Sequence, residues 1–324
     1  MFLPRTFSPA GNSSGIELKP KPVSWQGKSQ HEDVRSFPSL NAMNAKHLRP
    51  QAAQRAFQLK DLACVLAVVG LLASVQLASL ANGRESSVAD RCRDNIRRLT
   101  LAWQMYSDDN LGRLVPNNGN VGEGGTADSQ KSWVSGWLDF STSFDNINTD
   151  YLVAAEKNGN YGHLGPYVRR DVSVFRCPAD ASAVLIAGRW FNRVRTVSMN
   201  NWMGGNSYCG GGYNYIENRA QTDISRPAQR WVIAEESPAS INDGLLLVRM
   251  DQEYIVDYPS AQHSGGTWFG FTDGRAEFRR WVDPRTLPGY RASELIPLNV
   301  PSPGNADMAW LRERTTDKKP GAPL

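Results

Sequence analysis

Apolar residues follow three patterns in turn along this chain. Positions 62–81 form an uncharged run of 20 residues, enough at about 1.5 Å per residue to cross a roughly 30 Å hydrocarbon core as one helix. Phe57-Gln58-Leu59-Lys60-Asp61 leads into it and sets a carboxylate at its mouth, where a simple anchor would prefer Lys or Arg. Beyond the run, Val88, Cys92, Ile96, Leu99, Trp103 and Tyr106 recur at steps of four, four, three, four and three, which traces one face of a helix. Arg84, Arg91, Arg93, Arg97 and Arg98, with Glu85, Asp90 and Asp94, take the other faces. One helix over 57–107 is therefore expected, stopped by Asp108-Asp109-Asn110-Leu111-Gly112. The third pattern is a series of short β-prone runs at 196–199, 231–234, 245–250, 253–256, 267–271 and 275–281. The last two join around Asp273-Gly274, a hairpin signal. An antiparallel sheet packed against the helix stripe follows, an α+β fold.

Segments 116–132 and 200–214 are rich in Gly, Asn and Ser and read as loops, long enough that in a compact domain they would usually bind something or move. Residues 301–324 hold Pro and mixed charge and read as a flexible tail. With 324 residues, 40% of them hydrophobic and 21% charged, the chain has room for one large or two modest domains beyond the apolar run. No second long apolar run exists, which excludes a multi-span membrane protein. The formal net charge of +4 is uneven: residues 1–56 carry eight Lys and Arg (Arg5, Lys19, Lys21, Lys28, Arg35, Lys46, Arg49, Arg55) against Glu17, Glu32 and Asp33, so the rest of the chain is slightly acidic. A basic flank beside an apolar span stays in the cytoplasm and sends the larger part across. That charge thus reads as topology and makes no case for nucleic acid. Ser79, Ala81 and Gly83 keep a cleaved secretory signal as the alternative. Residues 1–56 lack helical or strand period and read as a disordered leader. Met43 would open a shorter basic leader, and the expectation is that translation starts there.

Candidate chemistry is sparse. Glu235-Glu236 follow the strand 231–234, Asp243 lies on a loop, and His263 and Asp273 flank the hairpin. Together Glu235, Glu236, Asp243 and Asp273 offer oxygens to a hard cation such as Ca2+. The alternative is that His263 and Asp273 bond the hairpin's own backbone. Adjacent Glu235 and Glu236 would face opposite sides of a strand and cannot attack one bond jointly. His163 and His263 are the only histidines after the apolar run, and neither a nucleophile motif nor a Cys/His metal-ligand spacing is present, so no catalysis is expected. Nine tryptophans, Trp103 through Trp310, follow the run. Most sit at strand-compatible positions and read as core; stacking on a glycan is the alternative use.

A helix that is membrane-embedded at its start, amphipathic later and acidic near its N-terminus resembles the type IV pilin and pseudopilin segment. The resemblance implies cleavage between Ala56 and Phe57 by a prepilin peptidase, methylation of the new N-terminus, and Asp61 as the acid that aligns neighbouring subunits. The family favours Gly before the cut and Glu as that acid. His263-Ser264-Gly265-Gly266-Thr267-Trp268-Phe269-Gly270-Phe271-Thr272-Asp273-Gly274 resembles the H-x9-DG signature of prepilin-like proteins of planctomycete and verrucomicrobial bacteria. Cys92-Arg93-Asp94-Asn95-Ile96-Arg97-Arg98-Leu99, Gln104-Met105-Tyr106-Ser107-Asp108-Asp109-Asn110, Phe175-Arg176-Cys177-Pro178 and Ser240-Ile241-Asn242-Asp243-Gly244 match the same group. What this implies is a non-enzymatic subunit of a type II secretion or type IV pilus-like assembly. It would cross the inner membrane once, keep its N-terminus in the cytoplasm, hold 108–300 as an extracytoplasmic domain, and partner other pilin-like subunits. Major pseudopilins of type II secretion hold calcium near their C-terminus, in line with the Ca2+ reading. The alternative role is an unprocessed single-span envelope protein with a glycan- or ligand-binding ectodomain. Cys64 falls in the apolar run, while Cys92, Cys177 and Cys209 would meet an oxidising compartment. Cys92 and Cys177 both lie in family phrases and are the expected disulfide, with Cys177 and Cys209 the second choice.

Overall fold

The computed structural model describes residues 59–118, 131–205, 214–289 and 293–322, with the side chains of Asp61, residues 73–86 and Asn158 outside that set. The leader 1–56 with Met43, the pair Ala56 and Phe57, Cys209 and the Asp61 side chain thus lie outside the described residues.

Helix α1 (Leu59–Asp109) runs unbroken for 51 residues. Its second half buries the predicted stripe: Cys92, Ile96, Leu99 and Trp103 are at most 1% exposed, and Val88 and Tyr106 are half-buried. In its first half Leu62, Val65, Leu66, Val68, Val69, Leu71 and Leu72 are all exposed. Among the described residues no helix is long and apolar enough to cross a membrane; the side chains of 73–81, the far part of the expected span, are outside that set. The helix stops where Leu111 turns left-handed at φ 56°, which lets the Gly112 N–H reach back to Ser107 O at 2.9 Å. That bond satisfies one of the orphan carbonyls at the helix end.

The chain then passes through two single-turn helices, α2 (Asp150–Val153) and α3 (Ala155–Asn158), and a small hairpin, β1 (Ala183–Ile186) with β2 (Arg189–Asn192). The main sheet holds β3 (Val197–Asn200), β4 (Trp231–Glu235), β5 (Leu245–Leu246), β7 (Gly266–Phe271) and β8 (Ala276–Arg280) in the order β5-β3-β4-β7-β8. β6 (Tyr254–Ile255) pairs instead with β9 (Val300–Pro301) in a separate ribbon. The predicted hairpin forms as β7 and β8, with Gly266 opposite Arg280 and Gly270 opposite Ala276.

Three expectations need correction. The sheet is mixed, because β5 lies parallel to β3. The strand expected over 245–250 stops after two residues, since the Leu247 N–H goes to Asp257 Oδ2 and the Val248 N–H to Asn201 Oδ1 in place of a ladder. The tail is folded: α4 (Ala306–Thr315) is capped by Asn305, whose side chain accepts from the Asp307 and Met308 N–H groups.

Two cores flank the sheet. On one face Ile96, Leu99 and Trp103 of α1 pack with Val197, Met199, Val232 and Ile233. On the other, Met308 and Leu311 of α4 pack with Trp231, Phe269, Phe271 and Trp281. Trp103, Trp133, Trp202 and Trp231 are fully buried, as a core reading requires; Trp190 stands exposed on β2.

Candidate functional site

Where α1 meets the sheet, four chemically active side chains converge from four places in the sequence. Cys92 arrives on the buried face of α1. Cys177 follows a short 3-10 helix, Val172–Phe175, whose start is fixed by Asp171 accepting from the Ser173 N–H; its own N–H then donates to Thr196 Oγ1 at 2.7 Å. Glu235 ends β4. His263 opens a tight turn in which Ser264 and Gly265 take φ of 50° and 80° and the Gly266 N–H returns to His263 O at 3.1 Å. Positive φ at both central positions is the geometry Gly tolerates.

The four groups touch. The sulfurs of Cys92 and Cys177 are free thiols with Sγ atoms 2.7 Å apart. His263 Nε2 lies 3.2 Å from Cys177 Sγ and 3.2 Å from Glu235 Oε1. Glu235 Oε2 accepts from Thr267 Oγ1 and from the Trp268 N–H. The Ala179 N–H points at Cys177 Sγ from 3.3 Å. Among the described residues this is the one convergence of three or more His, Cys, Asp or Glu ligand atoms, all within 4.8 Å of one another.

Protonation follows the contacts. Burial opposes a charge on His263, yet its bonds to Cys177 and Glu235, with the carboxylate's charge, prevail and raise it to about 10. Burial likewise opposes the Glu235 carboxylate, and the His263 bond and charge outweigh it, leaving Glu235 below its ordinary value. The Cys92 contact, then burial, push the Cys177 thiol up. The pair His263 and Glu235 is thus an imidazolium beside a carboxylate, and Cys177 stays protonated.

The hard-cation set does not assemble. Glu235 and Glu236 do point opposite ways, and Glu236 accepts from Ser198 Oγ at 2.5 Å and Ser240 Oγ at 3.0 Å. Its neighbours are Arg195, Asp243 and Asp257, the last two close enough to one another to interact. Burial, then the Asp257 charge, hold Glu236 well above the carboxylate range. Burial and the Asp243 charge do the same to Asp257, and burial lifts Asp243 to about 7 against the pull of the Leu245 N–H and Arg195. Arg195, wholly buried, donates to Val197 O at 2.9 Å and to Asp243 O at 2.5 Å. Asp273 belongs to neither group. It accepts from the Arg275 N–H at 3.2 Å and pairs with the Arg275 guanidinium, bracing the hairpin tip beside Gly274 at φ 91°.

The stretch from His263 to Gly274 therefore has two ends with two jobs. Asp273 and Gly274 shape a turn, whereas His263 enters the thiol cluster about one strand length away. Cys92 and Cys177, expected as a disulfide, lie side by side as free thiols. Arg195 and Asp257 were not singled out in the sequence, where they read as ordinary charges, and nothing local marks them as buried. Comparison with curated proteins and with solved structures gave no match. A family model matches residues 82–246, just over half of the 324 residues, a span that contains Cys92, Cys177, Glu235 and the carboxylate pocket up to Asp243 and stops short of His263. The chain belongs to the family described as Protein of unknown function (DUF1559).

Proposed function

We propose that this chain is a non-enzymatic, prepilin- or pseudopilin-like subunit of a type II secretion or type IV pilus-like envelope assembly. The first half of α1 would hold it in the inner membrane with the N-terminus cytoplasmic and the folded domain extracytoplasmic. Its partners would be other pilin-like subunits and a prepilin peptidase that cuts between Ala56 and Phe57.

The observation that carries this reading is the division of α1. One half is locked to the domain: Gln104 Nε2 donates to Thr272 O at 2.9 Å at the hairpin tip, and Ile96 and Leu99 are wholly buried. The other half presents Leu62, Val65, Leu66, Val68, Val69, Leu71 and Leu72 uncovered. A contiguous exposed apolar surface of that kind calls for lipid or another protein, and helix continuity would transmit its placement to the domain. Membership in the family accords with the resemblance.

Mass spectrometry of the N-terminus of protein isolated from its native envelope tests the proposal. An N-methylated Phe57 is the expected result. An intact Ala56–Phe57 bond, or an N-terminus near Gly83, would contradict it.

A further inference from the structure

We propose that Cys92, Cys177, His263 and Glu235 form a binding site for a divalent metal of the zinc class. The site belongs to the folded domain and stands whether or not α1 enters a membrane.

Two thiols, an imidazole and a carboxylate are the donor set that borderline-soft metals select over calcium or magnesium. Metal–sulfur bonds of about 2.3 Å and metal–nitrogen or –oxygen bonds of about 2.0–2.1 Å place tetrahedral ligand atoms roughly 3.3–3.8 Å apart. Here the ligand atoms all lie within 4.8 Å of one another, with both His263 contacts at 3.2 Å. The sulfurs, 2.7 Å apart, need to part by roughly 1 Å to reach that tetrahedron.

The surroundings are built as a second layer around such a site. Thr267 and Trp268 occupy Glu235 Oε2 and leave Oε1 facing His263. The Ala179 N–H supports the Cys177 sulfur, a bond that disperses thiolate charge. Outer partners of this kind orient ligands and tune the metal they hold.

A disulfide between Cys92 and Cys177 is the competing fate of the same two sulfurs. It would join two of the four converging groups and leave His263 and Glu235, 4% and 1% exposed, outside the link. A metal employs all four groups. Its effect would be structural: Cys92 rides on α1 and the other three on the domain, so the ion would clamp helix to body.

The test uses the full chain, purified with detergent present from whichever fraction of cells grown with Zn2+ contains it. Elemental analysis should find about one zinc per chain, with Cys92 and Cys177 free on alkylation mapping under denaturing, chelating conditions. Growth with Co2+ in place of Zn2+ should give a thiolate-to-cobalt charge-transfer band and the intense visible bands of a tetrahedral site. His263→Gln should lower bound metal about tenfold or more while far-UV dichroism stays unchanged; if that variant does not fold, the wild-type cobalt spectrum decides alone. A Cys92–Cys177 disulfide peptide, or metal-free protein with no charge-transfer band, would overturn the proposal.

Discussion

At Gly270 the absence of a side chain is what allows α1 to lie on the sheet. A Cβ there would sit 1.9 Å from Thr100 Oγ1 and 3.1 Å from Ile96 Cγ2, and Thr100 is itself held by its bond to Ile96 O at 2.8 Å. Gly270→Ala should therefore destabilise the domain by about 1–3 kcal/mol, the range for overpacking a filled core. Denaturant unfolding would show it, and Thr100→Ala added to the same chain should recover part of the loss, because the two sites share one clash. Leu111 is the opposite case. It is 95% exposed and left-handed at φ 56°, in the position where helices usually place Gly. Leu111→Gly removes that strain at some expense in chain entropy, and a net gain of about 0.5–1 kcal/mol is expected. An unchanged or lowered melting temperature would show that the Leu111 conformation carries no strain.

At the scale of elements, α4 depends on one residue more than on its sequence propensity. Asn305 Oδ1 accepts from the Asp307 and Met308 N–H groups at 2.9 and 3.1 Å, while Nδ2 donates to Thr286 Oγ1 and Ser302 Oγ, both at 3.1 Å. Asn305→Ala should cost about 1–2 kcal/mol, with faster amide exchange concentrated in the first turn of α4. That helix was illegible in the sequence for a physical reason. Asp307, Arg312, Glu313 and Arg314 make 306–315 read as a solvated tail, yet Asp307 is wholly buried, bonded to Arg279 and to the Val282 and Asp283 N–H groups. Those partners lie more than twenty residues away, beyond any local pattern. The stripe on α1, the strands β3 and β4 and the β7–β8 hairpin were legible because period and turn chemistry are local. The strand over 245–250 was overread because Asp257 and Asn201 capture the Leu247 and Val248 N–H groups from a distance. Cys92, Cys177 and His263 each lay in a quoted phrase and Glu235 was singled out for a different, hard-cation set, but the convergence of the four depends on the fold.

For the whole molecule, the carboxylate pocket sets a pH dependence that a single substitution isolates. Asp243 has an ordinary value of 3.8 when exposed and about 7 when folded, chiefly because burial disfavours its charge. The folded chain therefore keeps a proton that the unfolded chain releases as pH rises from about 4 to about 7. Stability from this group is full below that window and lost across it. Asp243→Asn keeps the Oδ1 acceptor for the Leu245 N–H, 2.8 Å away, and removes the titration. It also removes the charge that helps raise Asp257, which flattens the variant's profile further. Depressed carboxylates elsewhere, Asp171 on its Ser173 bonds and Asp317, whose burial is outweighed by its bonds to Arg230, Ser225 and Arg226, act in the opposite sense but equally in both chains, so they cancel in the difference. Unfolding measured from pH 8 to pH 5 should show the wild type gaining on Asp243→Asn by about 2–4 kcal/mol as pH falls. Parallel profiles would mean that Asp243 stays ionised in the fold, with Arg195 compensating its burial in full.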